Sequence, residues 1–201
     1  MKTFSQTVSW IFHPLFIASY GAAFYLFALP SYFERPELQQ SLIIFAMTVI
    51  GTALLPATTT LLLARLGKIS SLKMDNQQER NWPLLLSAII YFICFNLFNR
   101  RGVPVFIQLM ILGATASMIL GLGVNLRTKI SLHMIGIGGW CGGIIALALA
   151  SEHIDAWIIA ASFLCAGMLG TARLYLDAHS PGQVLGGFML GFLVTLIMMT
   201  A

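Results

Sequence analysis

Seven apolar runs, each close to the length of a bilayer crossing, leave this chain little choice but to fold in lipid. Crossing about 30 Å of hydrocarbon takes roughly 20 apolar residues as a helix, with about 17 to 25 tolerated. Runs of that kind cover residues 10–29, 41–66, 82–98, 103–126, 134–150, 156–172 and 184–201. Charged residues make up 9% of the chain and hydrophobic ones 58%, with mean hydropathy +0.87. An ordinary soluble domain is roughly a quarter charged, so a water-soluble enzyme or binding module is excluded. The longest polar connection, residues 67–81, is too short for a separate soluble domain. The expected architecture is all-α: one integral membrane domain over residues 1–201, a polytopic transmembrane bundle of about six or seven helices.

The first run follows Lys2 and also partly fits a secretory signal, with small residues near Ala28. Its length and the bulky Trp10, Phe12 and Tyr20 favour a retained span. Cys94, Cys141 and Cys165 fall inside apolar runs without a Cys-x-x-Cys spacing and read as small core residues. Glycines recur four apart at Gly138 and Gly142, Gly139 and Gly143, and Gly187 and Gly191, a spacing that lets helices approach closely.

Three polar islands interrupt the apolar sequence, at residues 73–80, 131–133 and 173–183. Two crossings separate the first island from the second, and two more separate the second from the third. All three therefore return to the same face of the membrane. Segments far apart in sequence but equal in depth can converge at the mouth of a bundle, where polar groups meet water and headgroups.

Each island carries groups suited to an anion. Lys73 and Arg80 stand seven residues apart, on one face if helical, and pair a compact point charge with a planar fork for phosphate oxygens. The alternative is a solvated loop in which Asp75 and Glu79 offset the two cations. Ser131 and His133 open a glycine-rich helix, and a histidine near neutral pKa can protonate a departing alkoxide. Equally, Ser131 can cap the helix while His133 is satisfied by backbone. In the third island Arg173 precedes His179 by six residues and Gln183 follows it by four. His13, beside Pro14, reads as a packed or interfacial residue. Glu152, His153 and Asp155 lie on the opposite face and make a weak case for a metal site.

The order Lys73 with Arg80, Ser131 with His133, and Arg173 with His179 resembles the type 2 phosphatidic acid phosphatase (PAP2) superfamily. That family carries a Lys-x6-Arg-Pro element, a Pro-Ser-Gly-His element and a Ser-Arg-x5-His-x3-Asp element in this order, and the resemblance covers residues 73–187. It implies a PAP2-like helical fold and a phosphatase needing no metal or other cofactor, acting through a phosphohistidine. By that resemblance His179 attacks phosphorus, Lys73, Arg80, Ser131 and Arg173 bind the phosphate, and His133 protonates the leaving group. The implied substrate is a lipid phosphate or a polyprenyl diphosphate within membrane lipid, not a nucleic acid; oligomeric state stays open.

The chain departs from the family pattern at several positions. Asn81 stands in place of proline, Ile130 and Leu132 flank Ser131 in place of proline and glycine, and Ala172 replaces serine. Gln183 occupies the place of the aspartate that orients the nucleophilic histidine. It also completes a capping box with Ser180, ahead of Pro181, so histidine contact and helix capping compete as its role. A noncatalytic PAP2-like protein that binds anionic lipid or a protein partner is therefore the alternative function.

Localisation follows from the spans, and the family analogy points to a bacterial inner membrane. Eight cations, Lys2, Arg65, Lys68, Lys73, Arg80, Arg127, Lys129 and Arg173, share the island side against Arg35, Arg100 and Arg101 opposite. Cation excess marks the cytoplasmic side. Setting aside Lys73, Arg80 and Arg173 as ligand-binding leaves five against three, and bacterial relatives in the family often face the site outward, so the side stays open.

Overall fold

The computed structural model describes residues 1–29, 36–72, 74, 76–151 and 154–201, and among them every regular element is helical. Six continuous helical stretches are long and apolar enough to cross a membrane: Leu38–Arg65, Gln78–Arg100, Val105–Asn125, Leu132–Ala150, Ala156–Tyr175 and Pro181–Thr200. They coincide with six of the seven expected runs to within a few residues. Leu42, Ile43, Ile93, Leu164, Leu185 and Ile197 are among the large apolar side chains exposed on the outside of the bundle. In water such a surface would drive aggregation, whereas lipid solvates it.

The first run is not one continuous helix. Helix α1 (Lys2–Ile11) starts eight residues before the expected span, and α2 (Pro14–Ala23), extended by a π-helical turn over Phe24–Ala28, leaves it at a bend of 55°. The break is local chemistry. Pro14 forces the residue before it out of the helical region, and His13 accordingly sits at φ −63, ψ 134. The His13 Nδ1 then accepts the Leu15 N–H at 3.4 Å, so this histidine is the N-cap of α2. Counted as one span, the bent pair brings the total to seven.

The next span combines α3 (Leu38–Val49), a π-helical turn over Ile50–Leu54 and α4 (Leu55–Arg65). Pro56 explains the widened turn, because it brings no N–H to the Thr52 carbonyl four residues earlier. That carbonyl accepts the Tyr91 hydroxyl at 2.9 Å from α5 (Asn81–Arg100), which satisfies it in a buried setting.

Helix α6 (Val105–Asn125) follows the tight turn at Gly102, and α7 (Leu132–Ala150), α8 (Ala156–Tyr175) and α9 (Pro181–Thr200) complete the bundle. Helix α7 is central, touching α2, α6, α8 and α9, with Ile137, Cys141 and Ile144 fully buried. Its glycines make the α7–α9 seam possible. A Cβ on Gly138 would lie 2.3 Å from the Phe188 carbonyl oxygen, and one on Gly191 would lie 2.0 Å from that of Ile135. At the island end of the seam, a Cβ on Gly187 would meet the Ser131 carbonyl oxygen at 2.7 Å. The absence of side chains there brings the start of α9 directly against the start of α7.

Candidate active site

Hydrogen bonds tie the polar islands together at one end of the bundle. Arg80, at the end of a 3-10 turn over Gln78–Arg80, is 8% exposed and donates from Nε to the Met74 carbonyl at 3.1 Å. Its Nη1 donates to the Ile130 carbonyl at 3.4 Å, one residue before Ser131. Asn125, at the end of α6, donates from Nδ2 to the Gln77 carbonyl and to Asn81 Oδ1, both at 2.9 Å, while Gln77 Nε2 donates back to the Asn125 carbonyl. Asn81 thus has a clear structural role, joining the start of α5 to the end of α6. Glu79 accepts from the Ser70 N–H and hydroxyl at 3.1 and 3.0 Å, holding the preceding loop. Lys73, Asp75, Glu152 and His153 lie outside the described residues.

The third island folds back on itself by helix-end chemistry. After α8, the Ala178 N–H reaches the Arg173 carbonyl at 3.2 Å and the Asp177 N–H reaches that of Leu174 at 3.0 Å. With Asp177 at φ 50, this is a Schellman ending, whose left-handed residue is here an aspartate instead of a glycine. The reversal explains the six-residue spacing: it returns His179 toward the end of α8 that carries Arg173. Ser180 then caps α9, accepting the Gln183 N–H at 3.4 Å, with Pro181 in the first turn.

Gln183 fills both of the competing roles. Its Oε1 accepts the Ser180 N–H at 3.2 Å and lies 3.2 Å from His179 Nδ1, while its Nε2 donates to Thr128 Oγ1 at 3.4 Å. The backbone N–H of Ser180 can only donate, so it fixes which end of the amide faces the histidine. Oε1 is therefore an acceptor for His179 Nδ1–H, and the neutral imidazole carries its lone pair on Nε2. His179 is buried, and burial, followed by the positive charge of Arg80, pushes its pKa down to about 4; Arg173 and Lys129 act in the same direction, and the Gln183 contact opposes them. At neutral pH the ring is uncharged.

Ser131 begins α7 without capping it through its side chain; its hydroxyl is buried and has no hydrogen-bond partner among the described residues. His133 Nε2 lies 3.2 Å from the Ser9 carbonyl oxygen. Since a carbonyl only accepts, Nε2 bears the proton and Nδ1 is the atom left for proton exchange. Arg173 donates from Nη1 to Ser9 Oγ at 3.3 Å, whereas its Nε is buried without a hydrogen-bond partner among the described residues. The Arg173 charge reaches His13, His133 and His179, and His133 and His179 are within electrostatic range of each other. The rings of His13 and His133 meet edge to face at 5.4 Å.

Of the residues singled out in sequence, the structure gathers Arg80, Ser131, His133, Arg173, His179 and Gln183 at one mouth. A cavity of about 220 Å³ opens beside Gln183, walled by Val124, Thr128, Ile130 and Gly186. Sequence does not mark Ser9 or Thr128, counts Lys129 only toward the cation excess, and reads His13 as a packed or interfacial residue. Ser9 had no signal, because a serine in an amphipathic N-terminal stretch is unremarkable. Thr128 and Lys129 flank the second island, and their proximity to Ser131 was the available clue. Among the described residues, no group of three His, Cys, Asp or Glu side chains is placed to hold a metal ion.

Comparison with protein-family models, curated proteins and solved structures found no match for the chain.

Proposed function

We propose that this protein is an integral membrane phosphatase of PAP2 type, hydrolysing a lipid phosphate or polyprenyl diphosphate through a phosphohistidine on His179. The observation that carries the proposal is the state of His179: a neutral ring, its Nδ1–H held by Gln183, and its Nε2 lone pair within the field of Arg80, Arg173 and Lys129. An imidazole so arranged is a nucleophile aimed at an electron-poor centre carrying negative oxygens. Arg173 Nε and Ser131 Oγ, two of the five buried polar side-chain atoms without a partner among the described residues, fit the same picture, since each costs about 1 to 3 kcal/mol until an acceptor or donor meets it. Phosphate oxygens supply such partners.

In the first step His179 Nε2 forms a bond to phosphorus as the bond from phosphorus to the leaving oxygen breaks. The Nδ1 of His133, bare at rest, takes up the proton of a phosphate monoanion substrate and passes it to the leaving alkoxide, or to the leaving phosphate of a diphosphate. Water then attacks the phosphohistidine, giving a proton to His133 Nδ1, which hands it to the departing inorganic phosphate, and both histidines return to their starting states. The guanidinium groups of Arg80 and Arg173 bind the equatorial oxygens and oppose their growing charge, which is the main contribution a protein makes to phosphoryl transfer. Val124 and Ile130, in the wall of the cavity beside Gln183, offer the chain of the substrate an apolar surface.

One feature favours a noncatalytic, anion-binding role instead: Gln183 supplies an uncharged acceptor, which cannot stabilise an imidazolium as a carboxylate does. Phosphate release from short-chain lipid phosphates by the purified protein, with His179→Ala and Arg173→Ala as controls, separates the two. Vanadate-sensitive release lost in both variants supports catalysis, and binding without release supports the anion-binding role.

A further inference from the structure

We propose that Ser9, on the N-terminal helix α1, is a positioning residue that sets the Arg173 guanidinium and the His133 ring for phosphate. The proposal rests on the phosphate-site reading above and extends it to a helix that the three polar islands do not include.

Helix α1 is turned inside out relative to a helix in water. Ser5, Val8 and Ser9, spaced to share one face, are buried, whereas Phe4, Trp10 and Ile11 are 65%, 71% and 51% exposed. The buried face packs on α8, where Val8 joins the apolar cluster of Ala166, Leu169 and Ala172. The packing brings Ser9 to the end of α8 that carries Arg173. The 55° bend at His13 and Pro14 sets the direction of α1, so the position of Ser9 is built into the local chemistry of that break.

A single residue then touches two site residues from two different helices. The Ser9 hydroxyl accepts from Arg173 Nη1 at 3.3 Å, and its carbonyl accepts from His133 Nε2 at 3.2 Å. A hydroxyl inside a helix ordinarily bonds the carbonyl four residues earlier, as Thr7 does to Thr3 at 3.0 Å in this same helix. Ser9 instead receives an arginine proton. With Nη1 so anchored, the planar fork is fixed in rotation and its buried Nε–H is held toward a further acceptor. The carbonyl contact fixes the His133 tautomer with Nδ1 as its proton-exchanging atom.

The test measures orthovanadate and inorganic phosphate binding to the full-length protein in detergent, with the melting temperature recorded on the same samples. Alanine is the strongest helix former, so Ser9→Ala keeps α1 helical. The expected result is about tenfold weaker orthovanadate binding in Ser9→Ala, the loss of one charge-assisted contact. Ser9→Thr, which keeps the hydroxyl, restores most of it. In an Arg173→Lys background, where the fork is gone, Ser9→Ala changes binding less than twofold, because Ser9 acts through Arg173. Equal binding by wild type and Ser9→Ala, or an undiminished tenfold loss in the Arg173→Lys background, overturns the positioning role while leaving the phosphate site intact. A wild-type protein that binds neither anion overturns the phosphate-site reading itself, and the role of Ser9 with it.

Discussion

Gln183 Oε1 stands 3.2 Å from His179 Nδ1 and 3.2 Å from the backbone nitrogen of Ser180, so one amide oxygen caps helix α9 and orients the candidate nucleophile together. Because the Ser180 N–H dictates the amide orientation, the histidine tautomer is a consequence of how the helix begins. What the amide cannot provide is negative charge.

That deficit gives the first prediction. Gln183→Glu keeps the side-chain length and both acceptor contacts while adding a charge, and turnover rises by about tenfold, near 1.4 kcal/mol of transition-state stabilisation. Gln183→Leu removes the acceptor and lowers turnover by at least as much. Steady-state phosphate release by both variants checks this, and a rate unchanged in both shows that Gln183 only caps the helix.

The depressed pKa of His179 gives the second. A nucleophile that protonates only near pH 4 keeps its lone pair through mildly acidic conditions, so the acidic limb of kcat/KM falls near pH 4. A half-maximal point near 6.5, the ordinary histidine value, contradicts the burial and the arginine field described here. The same shift acts on stability. Between 6.5 and about 4 the unfolded chain binds a proton at this residue and the folded chain does not, so stability declines as pH falls through that window. The wild-type melting temperature falls relative to that of His179→Gln, which carries no titrating ring, as pH drops from 6.5 to about 4.

Much of this architecture is written in the sequence in plain terms. Six of seven apolar runs became continuous helices because backbone in lipid has no other way to satisfy its hydrogen bonds. The shared face of the islands followed from counting crossings, and bonds such as Arg80 to the Ile130 carbonyl make it concrete. What was illegible depends on angles. The break at Pro14 is a local signal, yet nothing in the sequence states that the resulting 55° bend carries Ser9 to Arg173 and His133. Gln183 presented two alternatives in sequence, and only the geometry shows one oxygen serving both. The tie between Asn125 and Asn81, 44 residues apart in sequence, is likewise visible only in the geometry.

The return of the chain after α8 is testable through Asp177, which sits at φ 50. Glycine has no Cβ to strain there, so Asp177→Gly keeps the fold and raises stability by about 0.5 kcal/mol. A β-branched residue is poorly tolerated in the left-handed region, so Asp177→Val lowers stability by about 1 to 2 kcal/mol and displaces His179. Thermal unfolding in detergent, paired with phosphate release, reads both effects.

The π turn before Pro56 makes a prediction remote from the site. Tyr91→Phe leaves the buried Thr52 carbonyl without its donor and destabilises the bundle by about 1 to 3 kcal/mol, with turnover per folded molecule unchanged. An unaltered melting temperature would show that the carbonyl has another partner.

The central claim is that His179 takes the phosphoryl group, and acid-sensitive, base-stable labelling of the protein tests it directly. Purified protein is mixed with a lipid phosphate carrying labelled phosphorus, quenched in alkali within one turnover, and digested to locate the label. The account predicts phosphohistidine at residue 179 in wild type and none in His179→Asn; labelled phosphate released with no phosphohistidine formed, or label retained in the variant, contradicts it.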